Sequence, residues 1–297
     1  MGIGSRIQKF MPLMAILPAL TLFTMFVLFP TIGNLYFSFT NYNGNIDSFD
    51  WVGLKNYEYA FTTDLINVGD TIKVTAIFCI LVTLIQNALA VVLAVLVNMK
   101  LRLRTFYRSV IFMPNILGVV VTGLIWTLLF DPYSGPVVKG FEMFGKDTAL
   151  LGDPEMAIYL VVFVQVWMSV GYAMILYIAG LQGISATLYE SARIDGASSW
   201  KSFLHITLPM LWPIITVNLM LSVIGSLKLF DIILVLTNGG PGMSTMTIGM
   251  YIFDNLFKSN LTQGYAAALS FIHFFIIAVV VAIFYRFLSA RGKGYGW

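Results

Sequence analysis

The chain has 297 residues, of which 59% are hydrophobic and only 10% are charged. Because a soluble domain normally carries about 25% charged residues, this composition excludes an ordinary soluble protein and indicates a membrane protein. The net charge of +3 at pH 7 could suggest a nucleic-acid partner. The basic residues instead follow a loop-by-loop pattern that is typical of membrane topology, so no nucleic-acid partner is predicted.

Six stretches without Asp, Glu, Lys or Arg each exceed the roughly 20 residues that cross a bilayer as a helix. Alternating strand patterns are not seen, and backbone polar groups in lipid need partners within their own segment. The sequence therefore predicts an all-α integral membrane protein with six transmembrane helices. Their predicted bounds are 11–38, 75–99, 109–130, 157–181, 206–236 and 265–288.

The distribution of basic residues predicts which way the helices run. The N-terminus, the second and fourth loops and the tail contain eleven Lys and Arg residues, whereas the other three loops contain five. Because an excess of Lys and Arg marks the cytoplasmic side, both termini and the fourth loop are predicted to be cytoplasmic. The first apolar run is too long for a signal peptide and no A-x-A site closes it, so it is predicted to be a retained helix.

The first external loop, residues 41–70, is rich in Asn, Asp and aromatic residues. Aromatic residues near a membrane edge usually form an interfacial belt, and this is the predicted role here. Contact with an external partner is the alternative.

The fourth loop has the pattern of two short helices joined by a glycine turn. Thr187 and Glu190 have the spacing of a capping box, which predicts the start of a helix. Gly196 can adopt a positive φ and end it. Ser198 or Ser199 can cap a second helix. From these residues alone, a docking surface for another protein and a passive surface loop both remain open.

A family resemblance favours docking. The segment resembles the "EAA" loop of permease subunits in bacterial binding-protein-dependent ABC importers, with Ser191 where the motif name has Ala, and Leu208-Pro209 follows at a fitting distance. The resemblance implies a coupling helix that seats in a cleft of a cytoplasmic ATPase. The implied coupling residues are Glu190, Ser191, Ala192, Asp195, Gly196 and Ala197.

Later motifs are similar to those of carbohydrate-type permeases, in particular the subunit equivalent to the larger permease of the maltose importer. These motifs are Leu229-Phe230-Asp231, Leu236-Thr237-Asn238-Gly239-Gly240-Pro241 and Gly264-Tyr265-Ala266-Ala267-Ala268. The resemblance implies a five-helix permease core preceded by one further helix. It also implies a second, similar permease, two ATPase subunits, an extracellular or periplasmic solute-binding protein and a bacterial cytoplasmic membrane.

Three regions are expected on this basis. Residues 1–71 form an N-terminal transmembrane helix and external loop, residues 72–288 form the permease core with its coupling loop 182–204, and residues 289–297 form a cytoplasmic tail.

Polar residues within the spans are candidates for substrate contact, because they are costly in a membrane and often line a cavity. Gln165 and Ser169 are four residues apart and share a helix face, as do Ser222 and Ser226. The resemblance implies that these four residues lie where sugar-contacting side chains sit, with Trp167 and Tyr172 able to stack on a ring. Hydrogen bonding between helices is the alternative.

Other polar residues indicate no cofactor and no catalytic site. Cys79 is the only cysteine, which excludes an intrachain disulfide, and His273 stands alone, which disfavours a metal site. Lys228 and Asp231 are three apart and are predicted to form an ion pair, with contact to a substrate or an ion as the alternative. Residues 140–147 nearly spell a phosphate loop but have Asp147 where Ser or Thr is needed. ATP hydrolysis is therefore expected to belong to a partner.

The predicted function is the pore subunit of an ATP-driven importer for a sugar or oligosaccharide. Import of another polar solute, such as a glycerol phosphate, is the alternative within this class. An ion-coupled secondary transporter is the rival from another class, but it usually needs buried carboxylates and only Asp231 qualifies. A membrane enzyme needs a cluster of catalytic groups that the sequence does not contain.

Overall fold

The structure is a computed structural model that describes residues 16–45, 48–99, 102–143, 150–258 and 263–292. The predicted cytoplasmic charges Arg6 and Lys9, the end of the tail at 293–297 and the near-phosphate-loop residues 145–147 lie outside these ranges. Within them every regular element is a helix, and the one strand-like pairing is an isolated antiparallel bridge between Thr40 and Trp51.

The helices follow one another through short connections, as expected for a chain whose apolar segments are separated by charged loops. In chain order they are α1 (Ile16–Phe37), α2 (Lys55–Phe61), α3 (Leu65–Asn98), α4 (Arg104–Ile116), α5 (Val119–Leu129), α6 (Pro136–Glu142), α7 (Ala157–Gln182), α8 (Ala186–Ile194), α9 (Ser199–Met210), α10 (Trp212–Leu227), α11 (Asp231–Leu236), α12 (Ile248–Phe257) and α13 (Gln263–Gly292).

Four of these helices, α1, α3, α7 and α13, are each long and apolar enough to cross a membrane. Two bent pairs also qualify if each pair counts as one span. Helices α4 and α5 meet at 96°, and α9 and α10 meet at 67°. The described residues therefore contain four to six candidate spans, and the number six stays a prediction.

Some helix bounds differ from the predicted ones, which were based only on the positions of charged residues. Helix α3 begins at Leu65, ahead of the predicted 75, because Asp70 and Lys73 lie inside its first turns. The third predicted span is broken at Leu117 and Gly118, whose backbones are extended. The predicted single segment 206–236 is divided, since the backbone leaves the helix between α10 and α11.

The chain forms two compact units. The first comprises Met1–Leu65 and Ile252–Ile272, and the second comprises Ile66–Tyr251 and His273–Trp297. In the first unit, the hydroxyl of Tyr265 donates a hydrogen bond to Oδ2 of the buried Asp64. Gly264 packs closely against the segment that follows α1, because a Cβ there would lie only 2.1 Å from the carbonyl oxygen of Thr40.

The second unit contains close helix contacts at small residues. A Cβ added at Gly171 of α7 would lie 2.4 Å from the carbonyl oxygen of Ile111, so α4 approaches α7 at backbone distance. A Cβ at Gly123 of α5 would lie 2.4 Å from Cγ1 of Val235 in α11. Membrane helices commonly pack through such small residues.

Candidate functional site

Asn87 of α3 joins three helices of the second unit through its side chain. Its Nδ2 donates to Oγ of Ser222 at 3.0 Å and to the carbonyl oxygen of Thr83 at 2.8 Å. Its Oδ1 accepts from the hydroxyl of Tyr177 at 2.7 Å. Since Asn87, Tyr177 and Ser222 are all buried, this network fixes α3, α7 and α10 relative to one another.

Gln165 and Ser169 lie on α7 at the edge of that network and are only partly buried. Oγ of Ser169 donates to Oε1 of Gln86 at 3.0 Å and is also 2.7 Å from the carbonyl oxygen of Gln165. Oε1 of Gln165 is enclosed and has no hydrogen-bond partner. An enclosed acceptor without a partner is costly, and a ligand hydroxyl could satisfy it.

An aromatic cluster joins another face of α7 to α5. The ring of Trp126 lies 5.4 Å from that of Trp167 and 5.1 Å from that of Phe163, both edge to face. It lies 5.1 Å from the ring of Phe130 on its own helix. Nε1 of Trp126 is enclosed without a partner, as is Oγ1 of Thr122 one turn earlier. The cluster therefore combines apolar ring faces with polar atoms that can still form hydrogen bonds.

The four predicted substrate residues fall into two environments. Gln165 and Ser169 are partly exposed, whereas Ser222 and Ser226 are buried in α10. Ser222 receives the hydrogen bond from Asn87, as the helix-packing alternative predicted. Asn218, one turn earlier, donates to the carbonyl oxygen of Ala173 at 3.1 Å and also joins α10 to α7.

The predicted ion pair between Lys228 and Asp231 is wrong. These residues flank the break between α10 and α11, so they do not share the continuous helix that the prediction assumed. Oδ1 of Asp231 instead accepts from the backbone N–H of Ile232 at 2.9 Å. Among the described residues, the salt bridge that forms is Lys258 to Asp254, at 2.9 Å.

His273 has a structural contact. Its Nε2 lies 3.0 Å from the carbonyl oxygen of Leu227, at the end of α10. Within the described ranges, no group of three or more His, Cys, Asp or Glu side chains is arranged to hold a metal ion.

The fourth loop, which is predicted to be cytoplasmic, contains the predicted helix, glycine turn and second helix. The first helix, α8, is capped by Ser185, whose Oγ accepts from the backbone N–H of Thr187. The predicted capping box at Thr187 and Glu190 is wrong, because the helix begins two residues before it was expected to. Ser198 caps α9 as predicted and accepts from the N–H of Lys201 at 3.3 Å.

Gly196 ends α8 as predicted, with φ at +76°. The N–H of Ala197 donates to the carbonyl oxygen of Ala192 at 2.9 Å, and the N–H of Gly196 donates to that of Arg193 at 3.2 Å. This pair of bonds is a Schellman motif, which needs a left-handed residue at the glycine position. The turn is therefore specified by Gly196.

The loop is tied to the following segment and exposes apolar side chains. The hydroxyl of Tyr189 lies 2.9 Å from Oγ1 of Thr207. Ile194 is 86% exposed and Trp200 is 67% exposed, and the side chain of Glu190 is also exposed. Large apolar side chains at a polar helical turn are typical of a surface that another protein covers.

Comparisons with known proteins agree with this architecture. Residues 86–293 match the family model described as "Binding-protein-dependent transport system inner membrane component". The chain is 32% identical over 281 residues to the multiple sugar-binding transport system permease protein MsmF of Streptococcus mutans, covering 94% of this chain and 96% of the relative. It is 30% identical over 279 residues to the trehalose/maltose transport system permease protein MalF of Thermococcus litoralis, covering 91% of each.

Among solved structures, the fold is similar to a bacterial ABC transporter involved in the import of the acidic polysaccharide alginate. The TM-score is 0.80 at 24% identity, with 99% of each chain covered. The fold and the sequence together define a membrane transport subunit. The chain belongs to the family of inner membrane components of binding-protein-dependent transport systems. This confirms the family that the loop motifs indicated, and it is a family of transport permeases.

No role for Trp126 was predicted from the sequence. A sequence signal was available for Trp126, because Thr122 and Trp126 are four apart on an otherwise apolar segment and so share a helix face. Nothing in the sequence showed that this face turns toward Trp167.

The Asn87 network generates a stability prediction. Asn87→Leu leaves the Tyr177 hydroxyl and Ser222 without their partner, so the free energy of unfolding should fall by about 1–3 kcal/mol. Thr216→Val is the matched control, since Thr216 bonds only to the carbonyl oxygen of Trp212 in its own helix. Unfolding in detergent micelles, followed by tryptophan fluorescence, measures both. Equal losses in the two variants would contradict a cross-helix role.

Proposed function

We propose that this chain is the pore subunit of an ATP-driven importer that carries a sugar or oligosaccharide across the bacterial cytoplasmic membrane. Its partners are a second, similar permease, two ATPase subunits and a solute-binding protein outside the membrane. The exposed and tightly specified cytoplasmic turn at Gly196 is the observation that carries this proposal. Membership of the transport family supports it.

The proposed role of this turn is to transmit movement from the ATPase. Glu190, Ser191, Ala192, Asp195, Gly196 and Ala197 form a coupling surface that seats in a groove of the ATPase. Two hydrogen bonds at the glycine turn and the contact between Tyr189 and Thr207 keep the surface rigid. A rigid element is needed because a ligand or partner shifts a conformational equilibrium only through its different affinities for the two states.

The proposed topology has six spans with both termini in the cytoplasm. In this arrangement each of the bent pairs α4–α5 and α9–α10 crosses once. The three regions remain residues 1–71, 72–288 and 289–297, with the coupling loop 182–204 inside the second.

For substrate contact, the geometry supports Gln165 and Ser169 first. They are partly exposed, and Gln165 has an enclosed acceptor without a partner. We also assign substrate contact to Ser222 and Ser226, but in another conformational state. In this structure Ser222 bonds to Asn87, so α10 must first move away from α3.

The chemistry of this site favours a neutral sugar over a glycerol phosphate. The side chains of Gln165 and Ser169 carry no charge, whereas recognition of a phosphate generally uses Arg or Lys. The names of relatives that carry sugars support the same class. The rival of an ion-coupled transporter is not supported by Asp231, whose carboxylate accepts a hydrogen bond from the N–H of Ile232 in the first turn of α11.

The coupling role can be tested at the glycine turn. Gly196→Val places a β-branched residue at φ +76°, which is strongly disfavoured and should distort the coupling surface. We expect ATP-driven sugar uptake by the reconstituted four-subunit transporter with its binding protein to fall by roughly tenfold or more, with normal membrane insertion. The control is Gly183→Ala, at a glycine with negative φ and ordinary space around it. Unchanged uptake in Gly196→Val refutes the coupling role.

The substrate role can be tested at Gln165. Gln165→Leu keeps the approximate volume but removes the enclosed acceptor, so uptake should fall by about tenfold, the usual effect of losing a good hydrogen bond of about 1.4 kcal/mol. Gln263→Leu, in the other unit, is the matched control. ATPase activity in the absence of sugar should be the same in both. A loss of uptake that is equal in both variants contradicts a specific contact at Gln165.

A further inference from the structure

A cavity of about 580 Å³ lies within the second unit, beside the C-terminal end of α5. Its volume is within the range of small-molecule sites, and its walls are mostly apolar with a few polar groups, as such sites usually are. The residues that define it come from the end of α5, the turn at Leu151 and the segment after α11; they include Thr127, Phe130, Asp131, Leu151, Thr237 and Pro241.

Asp131 gives this cavity a fixed and charged acceptor. Its Oδ1 accepts three hydrogen bonds, from the N–H of Tyr133 at 3.1 Å, from the N–H of Ser134 at 2.7 Å and from the hydroxyl of Ser134 at 2.8 Å. Its Oδ2 accepts none from the described residues. The carboxylate is therefore held in one orientation, while Oδ2 can still accept hydrogen bonds. Ionised acceptors form stronger hydrogen bonds than neutral ones.

The protonation state of Asp131 suits this role. The hydroxyl of Ser134, followed by the backbone N–H groups of Ser134 and Tyr133, holds the pKa of the carboxyl below its usual range. The group is thus ionised at neutral pH and accepts hydrogen bonds only.

An aromatic row extends from this cavity to α7. Phe130 lines the cavity, its ring lies 5.1 Å from that of Trp126, and Trp126 lies 5.4 Å from Trp167. Phe130 is only 4% exposed and the rings pack against one another, so the row supports the apolar wall of the cavity. Trp167 is two residues from both Gln165 and Ser169 and therefore lies on another face of α7.

We propose that this cavity is an outer carbohydrate subsite, at which Oδ2 of Asp131 accepts a hydrogen bond from a sugar hydroxyl before the sugar moves farther into the transporter. The inference rests on the proposed function, because it takes the cargo to be a sugar. In the proposed topology the cavity faces the side from which the binding protein delivers that cargo.

The test is protection of an introduced cysteine in the assembled transporter in nanodiscs, measured with and without the binding protein. Import of the same sugars is measured separately, with the same assembly in proteoliposomes and with the binding protein present. Leu151→Cys places a thiol on the cavity wall, and Glu155→Cys places one on the same connection but outside the cavity. The native Cys79 is buried and contributes little labelling. The rate of reaction with a water-soluble maleimide is measured against rising concentrations of maltose, trehalose and lactose.

We expect at least one sugar to slow labelling of Leu151→Cys several-fold and to leave Glu155→Cys unaffected. Adding Asp131→Asn should raise the half-protecting concentration by about tenfold, because the amide keeps the Oδ1 turn but presents a donor where the acceptor was. As a second variant, Leu151→Trp should fill the cavity and slow uptake of the same sugar, with ATPase activity retained.

Three results would overturn the inference, and they are distinguishable. Absence of protection by a sugar that the same assembly imports removes the outer subsite and leaves the proposed function intact. Protection that requires the binding protein and not the sugar identifies a protein-docking surface instead. Failure of the assembly to import any sugar removes the proposed function, and the outer subsite with it.

Discussion

The structure depends on one constraint, which is that no water is available inside a bilayer to bond with backbone N–H and C=O groups. Where the chain is helical, each group finds its partner within the helix. Where the chain leaves the helix, other residues must supply partners. At the break after α10, Nε2 of His273 lies 3.0 Å from the carbonyl oxygen of Leu227, and Oγ1 of Thr247 donates to that of Leu229. Thus two polar side chains satisfy the carbonyl groups that this break exposes.

The same constraint separates structural polar side chains from those open to a substrate. Asn87 uses both its amide nitrogen and its oxygen on neighbouring helices, and replacing its partners with a sugar would mean breaking the packing of three helices. Gln165 and Trp126 each retain an enclosed polar atom with no partner. Polar groups with all their partners, such as Asn87, hold the helices together. Polar groups without a partner, such as those of Gln165 and Trp126, can still form hydrogen bonds with a substrate.

The sequence predicted the helical class, the positions of α7 and α13 and the glycine turn at Gly196, because each depends on a local property. Apolar length sets a membrane helix, and a left-handed residue sets a Schellman turn. It misplaced the start of α3, since a membrane helix can continue past its apolar part into residues such as Asp70 and Lys73. It also missed the breaks beside Gly118 and Lys228, which depend on contacts with distant residues such as Thr247.

The site was predictable to a smaller extent for the same reason. Four-residue spacing put Gln165 with Ser169 and Ser222 with Ser226, but spacing does not show which face of a helix meets another helix. Burial of Ser222 against Asn87, and the row from Phe130 through Trp126 to Trp167, arise from packing between segments far apart in the chain.

Mechanical linkage through the turn at Gly196 is the central claim, and an experimental density map of the intact assembly bound to a nucleotide analogue tests it most directly. We predict that Ala186–Ile194 lies in a cleft of an ATPase subunit, with Ile194 and Glu190 in contact with it. A map that shows this helix free of any nucleotide-binding neighbour, or on the outer side of the membrane, contradicts the claim.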